Sequence, residues 1–380
     1  MESNVHPNNK PIIAICYDFD KTLSPDDMQA QGYIQSLDYE VPNFWKESNT
    51  LANNNDMDQN LAYMFMMSTK SRGKNYLTKE MLIKYGSEVK LFPGVDTWFD
   101  RINEYGNKKG ILVEHYIISS GLKEMIEGTC VANKFSRIYA SSFYYDETGV
   151  AVWPAQAVNY TNKTQFLFRI EKGVLDINDQ GVNSYFTPDQ YRIPFRNIVY
   201  IGDSETDIPC MKLVNTYGGH SIGVYNHNTQ DKSKVFRMLD ENRIRYYSPA
   251  DYTEGSPLET LIKQIIDRTI SNEILESVHY DCLKEKTSEL KTQSEEEMKK
   301  NELIDRLEES SSFSNTHSIV SRINALNDLN LTQRKKLIYI ALTNNQVKYI
   351  LNDKDIKKFY LKVIDGIDGE DVNELNELLE

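Results

Sequence analysis

The sequence predicts an α/β fold, a doubly wound parallel sheet carrying an inserted α-helical cap and a C-terminal helical extension. Three observations lead there. Short apolar runs rich in β-branched residues recur between Ile12 and Tyr225, several stop at acidic or small residues, and stretches with helical spacing separate them. Such runs suit strands buried on both faces, and their alternation with helices implies right-handed crossovers with helices packed on the sheet. The composition agrees. With 40% hydrophobic and 26% charged residues among 380, and 18 Gly and 11 Pro, the chain is neither collagen-like, wholly disordered nor a disulfide scaffold.

Residues 1–10 are polar and read as loose. Ile12 to Tyr17 form the first strand, which ends at Asp18 and Asp20. The stretch from Thr22 to His115 is too long for one crossover helix. Pro25 follows Ser24 as at a helix start, and residues 26–90 read as an inserted helical cap whose Tyr63 to Met67 cluster is cap core. Leu91 to Gly94 mark the return. His115 to Ile118 form a second strand before Ser119, Ser120 and Gly121, and Gly121 to Ile126 reads as a helix. Lys163 to Ile170 is another, with Phe166, Leu167 and Ile170 on one face. Ile198 to Ile201 form a third strand before Gly202 and Asp203. Gly218, Gly219 and His220 read as a helix stop and turn ahead of a fourth strand, Ser221 to Tyr225. The α/β core is thus expected over 11–25 and 91–280. The amphipathic pattern from Leu258 to Leu283 fades into 281–302, a polar helix or linker. Ser310 to Ser314 mark a break, and apolar spacing from Ile319 onward suggests four or so short helices, making 303–380 a small helical domain.

The formal charge is −13, so no excess of Lys and Arg exists to release phosphate counterions, and general nucleic-acid binding is disfavoured. A local cationic pocket remains compatible with that total. No apolar run approaches a bilayer span and the N-terminus lacks a basic start followed by an apolar stretch, so a cytoplasmic protein without membrane association is expected. Cys16, Cys130, Cys210 and Cys282 form no CxxC pair and read as free buried thiols rather than zinc ligands. His115, inside a strand, reads as a core histidine.

The chemistry concentrates at the strand ends. Asp18-Phe19-Asp20-Lys21-Thr22 puts two carboxylates at the C-terminal end of a parallel strand, where open α/β sheets form their ligand crevice. Alone, a DxD pair there is ordinary turn chemistry. The third strand, however, ends in Gly202-Asp203-Ser204-Glu205-Thr206-Asp207. Asp18, Asp20, Asp203 and Asp207 together are too much converging negative charge without a cation, because like charges raise one another's pKa. Oxygen-only donors with no His or Cys point to Mg²⁺. Ser119, Ser120 and Gly121 offer hydroxyl and backbone N–H donors at an expected helix N-terminus, a corner suited to phosphate. Lys163 is available to neutralise the remaining charge, with Lys134 and Lys123 as alternatives.

In that order, Asp18-x-Asp20-x-Thr22, Ser119, Lys163 and Gly202-Asp203-x-x-x-Asp207 resemble the four motifs of the haloacid dehalogenase-like hydrolase superfamily, in the phosphoserine phosphatase-like branch with a cap between motifs one and two. The resemblance covers roughly residues 11–225, and Ile138 to Gly149 also looks like a strand-turn segment of that branch. It implies Asp18 as nucleophile, Asp20 as general acid and base, Thr22 and Ser119 as holders of phosphoryl oxygens, and Lys163 as charge stabiliser. It implies Mg²⁺ bound by Asp18, the backbone carbonyl of Asp20 and Asp203, with Asp207 a second ligand or an acceptor for metal-bound water. The gap from Lys163 to Asp203 is wider than in compact relatives, implying an extra hairpin or loop around Asp176 to Phe195.

The expected function is therefore Mg²⁺-dependent hydrolysis of a small phosphomonoester through a phospho-aspartate. Phosphotransfer to another acceptor, or hydrolysis of a nucleotide, would use the same site. The rival class is a phosphatase-like scaffold or sensor whose C-terminal helices bind a partner protein or a second copy of the chain.

Overall fold

A computed structural model describes residues 10–74, 76–291, 295–326 and 328–380. The reading of 1–10 as loose falls, except for Lys10, outside the described residues, as does the 292–294 part of the expected polar linker. The chain divides into two compact units, residues 1–277 and 278–380.

The first unit is built in the order β1 (Ile12–Tyr17), α1 (Tyr33–Ser36), α2 (Val41–Asn54), α3 (Gln59–Lys70), α4 (Lys79–Ser87), α5 (Val95–Lys109), β2 (Leu112–Leu122), α6 (Lys123–Gly128), β3 (Arg137–Tyr145), β4 (Ala151–Gln156) and α7 (Thr164–Lys172). Then follow β5 (Ile198–Gly202), α8 (Ile208–Thr216), β6 (His220–Tyr225), α9 (Ser233–Asp240), β7 (Tyr246–Pro249) and α10 (Pro257–Lys291), which runs on into the second unit. One seven-stranded sheet has the order β4-β3-β2-β1-β5-β6-β7, parallel except for the β3–β4 hairpin. β1 lies between β2 and β5, so the winding reverses there and opens a crevice at its C-terminal end.

All six residues of β1 are buried, and they alternate between two cores. Ile13, Ile15 and Tyr17 face one, with Trp98, Phe99 and Ile102 of α5, while Ile12, Ala14 and Cys16 face the other, with Phe166, Leu167 and Ile170 of α7. Burial of each of the three isoleucines contributes about 1.5–3 kcal/mol. Trp98 Nε1 donates to Tyr17 Oη at 2.9 Å, and Tyr17 Oη lies 3.0 Å from His115 Nδ1. His115 is a core histidine, its pKa pushed down to about 3 by burial.

The sequence pattern underestimated several elements. β2 extends to Leu122, so Gly121 lies in the strand and α6 starts only at Lys123. The helix α5, the separate strand β4 and the four-residue β7 lie outside the four expected apolar runs. Between α7 and β5 there is a loop with short 3₁₀ turns and no strand pairing. Its base is gripped by the buried Arg169 of α7, whose guanidinium donates to the carbonyls of Asp176 (2.6 Å), Ile177 (2.7 Å) and Asp179 (3.0 Å). Cys16 and Cys210 are buried, but Cys130 and Cys282 are exposed, because each sits on the solvent side of its segment.

In the second unit, α11 (Glu295–Glu308), α12 (Phe313–Ala325), α13 (Leu331–Thr343), α14 (Asn345–Tyr349), α15 (Lys354–Ile364) and α16 (Glu370–Leu379) enclose a core containing Leu307, Ile323, Leu337, Ile340, Tyr360 and Leu375. The Asn330 side chain accepts from Gln333 N in the first turn of α13, and that of Asn344 from Gln346 N and Val347 N in the first turn of α14, which sets where those helices begin. Among the described residues, no helix is long and apolar enough to cross a membrane.

Candidate active site

The site is assembled from three adjacent strand ends. Asp18 leaves β1 with its N–H bonded to the Ile201 carbonyl of β5 at 2.9 Å, so its carboxylate is fixed relative to Asp203. The chain then turns sharply. The Phe19 carbonyl accepts from the N–H of Leu23 at 2.9 Å and of Ser24 at 3.2 Å, and Lys21 at the turn has φ +59°. This turn returns Asp20 beneath the insertion, where its Oδ1 accepts from Met28 N at 2.8 Å.

On the β2 side, the pairing of Ile118 with Tyr139 and of Leu122 with Ser141 leaves extra residues on β2. Ser119 to Gly121 bulge out of the ladder toward Asp18. The expected helix N-terminal corner is therefore a strand bulge. Gly121 N–H is directed at Ser119 Oγ, 3.1 Å away, and is already used there. Gly121 is required for space, since a Cβ there would come within 2.8 Å of Asp20 Oδ2 and would also strike Met28 Cε. The Ser120 carbonyl accepts from Tyr63 Oη at 2.8 Å and Ser141 Oγ at 3.2 Å.

Lys163 directly precedes α7 and is completely buried. Its Nζ is 3.2 Å from Asp18 Oδ1 and 2.7 Å from Asp207 Oδ1. Lys134 and Lys123 are engaged elsewhere, with Asp100 and Glu127. Asp207 is also held by Tyr200 Oη at 2.9 Å, so one of its oxygens is saturated by Lys163 and Tyr200. Thr22 stands behind the cleft wall: it is fully buried, its carbonyl accepts from Tyr252 Oη at 2.8 Å, and its Oγ1 makes no hydrogen bond.

Burial pushes the Asp18 carboxyl up to about 6 against the pull of Lys163, and burial with Asp207 and Asp18 nearby pushes Asp203 up to about 8. Asp20 is held well above the usual carboxylate range by burial and by Asp27 and Asp18. Burial works against the Lys163 ammonium, but Asp18 and Asp207 outweigh it and hold it charged above the usual lysine range.

The donor set fits a hard divalent cation. Asp18, Asp203 and Asp207 each offer a carboxylate oxygen, all within 4.8 Å of one another, and the buried Asp18 Oδ1 has only the Lys163 ammonium, 3.2 Å away, as a partner. One lysine faces three carboxylates, so negative charge is left over. The Asp20 carboxylate is not part of that group. Over these residues lies a cleft of about 580 Å³, floored by Asp18, Asp20, Ser119 and Asp203 and walled by residues of the α2–α3 turn and by Asn159 and Tyr160.

Tyr200, Tyr63 and Asn159 were not singled out in the sequence as site residues. Tyr200 reads there as another apolar strand residue and Tyr63 as cap core. The Asx-turn pattern Asn159 to Asn162 immediately before Lys163 is the signal that could have found Asn159.

No family model matches the chain. An uncharacterized protein of Borreliella burgdorferi is 27% identical over 283 residues, 67% of this chain and 96% of that protein. Among solved structures, the chain is similar to a HAD-family hydrolase of Salmonella enterica serovar Typhi, with TM-score 0.43 and 18% identity over 63% of this chain and 69% of that one. A probable phosphoserine phosphatase of Vibrio cholerae gives TM-score 0.43 and 12% identity over 70% and 67%. A phospho-aspartyl intermediate analogue of phosphoserine phosphatase gives 0.40 and 15% over 67% and 99%.

Proposed function

We propose that this chain is a Mg²⁺-dependent phosphomonoester hydrolase that works through a phospho-aspartate on Asp18. The observation that carries the reading is the pairing of a buried carboxylate on the cleft floor with a buried ammonium 3.2 Å away, beside a second carboxyl held above its usual pKa. Fold stability alone gives no reason to collect these groups, since buried charges are costly unless they are used.

Asp18 attacks phosphorus, forming the aspartyl-phosphate as the bond to the leaving oxygen breaks. Asp20, whose carboxyl is held well above the usual range by burial and by Asp27 and Asp18, gives a proton to that oxygen and then takes one from the water that attacks the intermediate, which restores Asp18 and frees phosphate. Lys163 opposes the charge gathering on the Asp18 and phosphoryl oxygens, and Asp207 with Tyr200 holds that lysine in place. Ser119, on the cleft floor, orients the phosphoryl group. Asp18 and Asp203 would hold Mg²⁺, with Asp207 as the third carboxylate of the group. The ion supplies charge neutralisation of the phosphoryl oxygens.

The test is phosphate release from an aryl phosphate with Mg²⁺ and with chelator. Turnover is expected only with the metal and only in the wild type. An Asp18→Asn protein that is folded and turns over at the wild-type rate overturns the mechanism.

A further inference from the structure

One helix of the insertion is fastened to two of the three catalytic segments that lie outside β1, the β2 bulge and the approach to Lys163. At the start of α3, Asp58 Oδ1 accepts from the N–H groups of Asn60 (2.8 Å) and Leu61 (3.0 Å), capping the helix. Its other oxygen, Oδ2, accepts from Asn159 Nδ2 at 2.7 Å. Asn60 Nδ2 donates to the neighbouring Val158 carbonyl, and one turn along α3 Tyr63 Oη donates to the Ser120 carbonyl in the β2 bulge.

Asn159 in turn builds the approach to Lys163. Its Oδ1 accepts from the N–H groups of Thr161 (2.9 Å) and Asn162 (3.1 Å), and its carbonyl accepts from Lys163 N at 3.1 Å. The two ends of one amide thus do different work: Oδ1 shapes the turn that aims the lysine, and Nδ2 ties that turn to α3. Asp58 divides its labour in the same way. Both residues line the cleft, so the tie closes its wall beside the catalytic groups.

We propose that Asp58 and Asn159 are a pair of positioning residues, a latch that makes the placement of Lys163 depend on the placement of α3. The pair touches no reacting atom. It transmits position, so that the ammonium is aimed at Asp18 when α3 is seated over the cleft and is loosened when α3 lifts. A bond to a charged acceptor is among the stronger ones, and this one joins residues 101 apart in sequence, with the neutral Asn60 to Val158 bond as its weaker neighbour.

The chemistry of the pair supplies its own control. In Asp58→Asn, the new side-chain carbonyl still caps α3, but an NH₂ group faces the NH₂ of Asn159. In Asn159→Asp, the turn is still formed, but two carboxylates face each other. An amide flip at either residue moves the lost bond to a helix start or a turn and does not restore it. Exchanging the two residues, Asp58→Asn with Asn159→Asp, recreates one donor facing one acceptor and keeps both local caps.

The kinetic arm rests on the phosphatase reading; the exchange arm does not. Amide hydrogen exchange on the four full-length proteins is expected to show about tenfold lower protection in both 59–63 and 159–163 for each single variant, with recovery in the exchanged pair. Aryl phosphate turnover is expected to lose about tenfold in kcat in each single variant with KM little changed, and to recover in the exchanged pair. Single variants that loosen only their own segment, or an exchanged pair as impaired as the two single variants combined, overturn the latch. A wild type without phosphatase activity whose exchange pattern still follows the cycle overturns the function instead.

Discussion

Removing the Lys163 ammonium tests whether the buried triad of Asp18, Lys163 and Asp207 is set up for chemistry at a cost in stability. In Lys163→Met a side chain of similar length stays in the pocket but the charge goes. At an effective dielectric constant of about 20, separations of 3.2 and 2.7 Å correspond to gross attractions of about 5 and 6 kcal/mol. Most of that is offset by the desolvation of three buried groups, so the net loss is about 3–5 kcal/mol, the usual result of stripping one partner from a buried ion pair. At about 2–4 °C per kcal/mol for a unit of this size, the melting temperature drops by roughly 10 °C. Differential scanning calorimetry of the full-length protein in chelator measures it, and aryl phosphate turnover should fall to background. The Asp207→Asn change made on top of Lys163→Met should recover part of the lost stability, since it removes one of the stranded carboxylates, without recovering turnover. A lysine that can be removed with less than about 2 °C of change, or with turnover intact, would refute the reasoning, because its charge would then be answering neither carboxylate.

Two further outcomes follow from local geometry. Gly121→Ala places a methyl group against Asp20 Oδ2 and Met28 Cε, so it should displace the proposed acid and depress kcat far more than KM in steady-state assays. Glu171 is buried in α7, and burial pushes its pKa up to about 7, against the opposing effects of the Phe195 backbone and Lys172. The folded state therefore holds a proton that the unfolded chain releases near its ordinary pKa of 4.5. The stability this gives is fully present below that value and is lost as pH rises through about 7, so Glu171→Gln should raise the melting temperature at pH 8 and leave it nearly unchanged at pH 4.5. Equal shifts at the two pH values would remove the titration from the explanation.

The sequence made the crevice legible because its signals are local. β1 is a six-residue buried run, and the acidic residues follow directly on it and on β5. Lys163 was named from the order of the motifs and its place at a helix start, but its contact with Asp207 across 44 residues is encoded by no spacing rule. Tyr200 was hidden because a strand tyrosine has the apolar pattern of its neighbours, and only the fold brings its hydroxyl to Asp207. The Ser119–Gly121 corner was misjudged because a bulge and a helix start share the same small residues. α5, with Val95, Trp98, Phe99 and Ile102 at helical spacing between Gly94 and Gly110, carried a readable pattern. β7 did not, being four residues long and ending in proline.

The grip of Arg169 on the loop after α7 has a consequence for how this protein can vary. Because the carbonyls of Asp176, Ile177 and Asp179 converge on a single guanidinium, the excursion that follows is tethered at its root. Lys172 of the same helix holds the next stretch, donating to the carbonyls of Val182 and Ser184 at 2.7 Å, so peptide is best lengthened or grafted beyond these ties, at the exposed turn Pro188 to Gln190. That makes it a natural tolerance point for lineage-specific inserts and a practical place to carry a dye or an affinity tag.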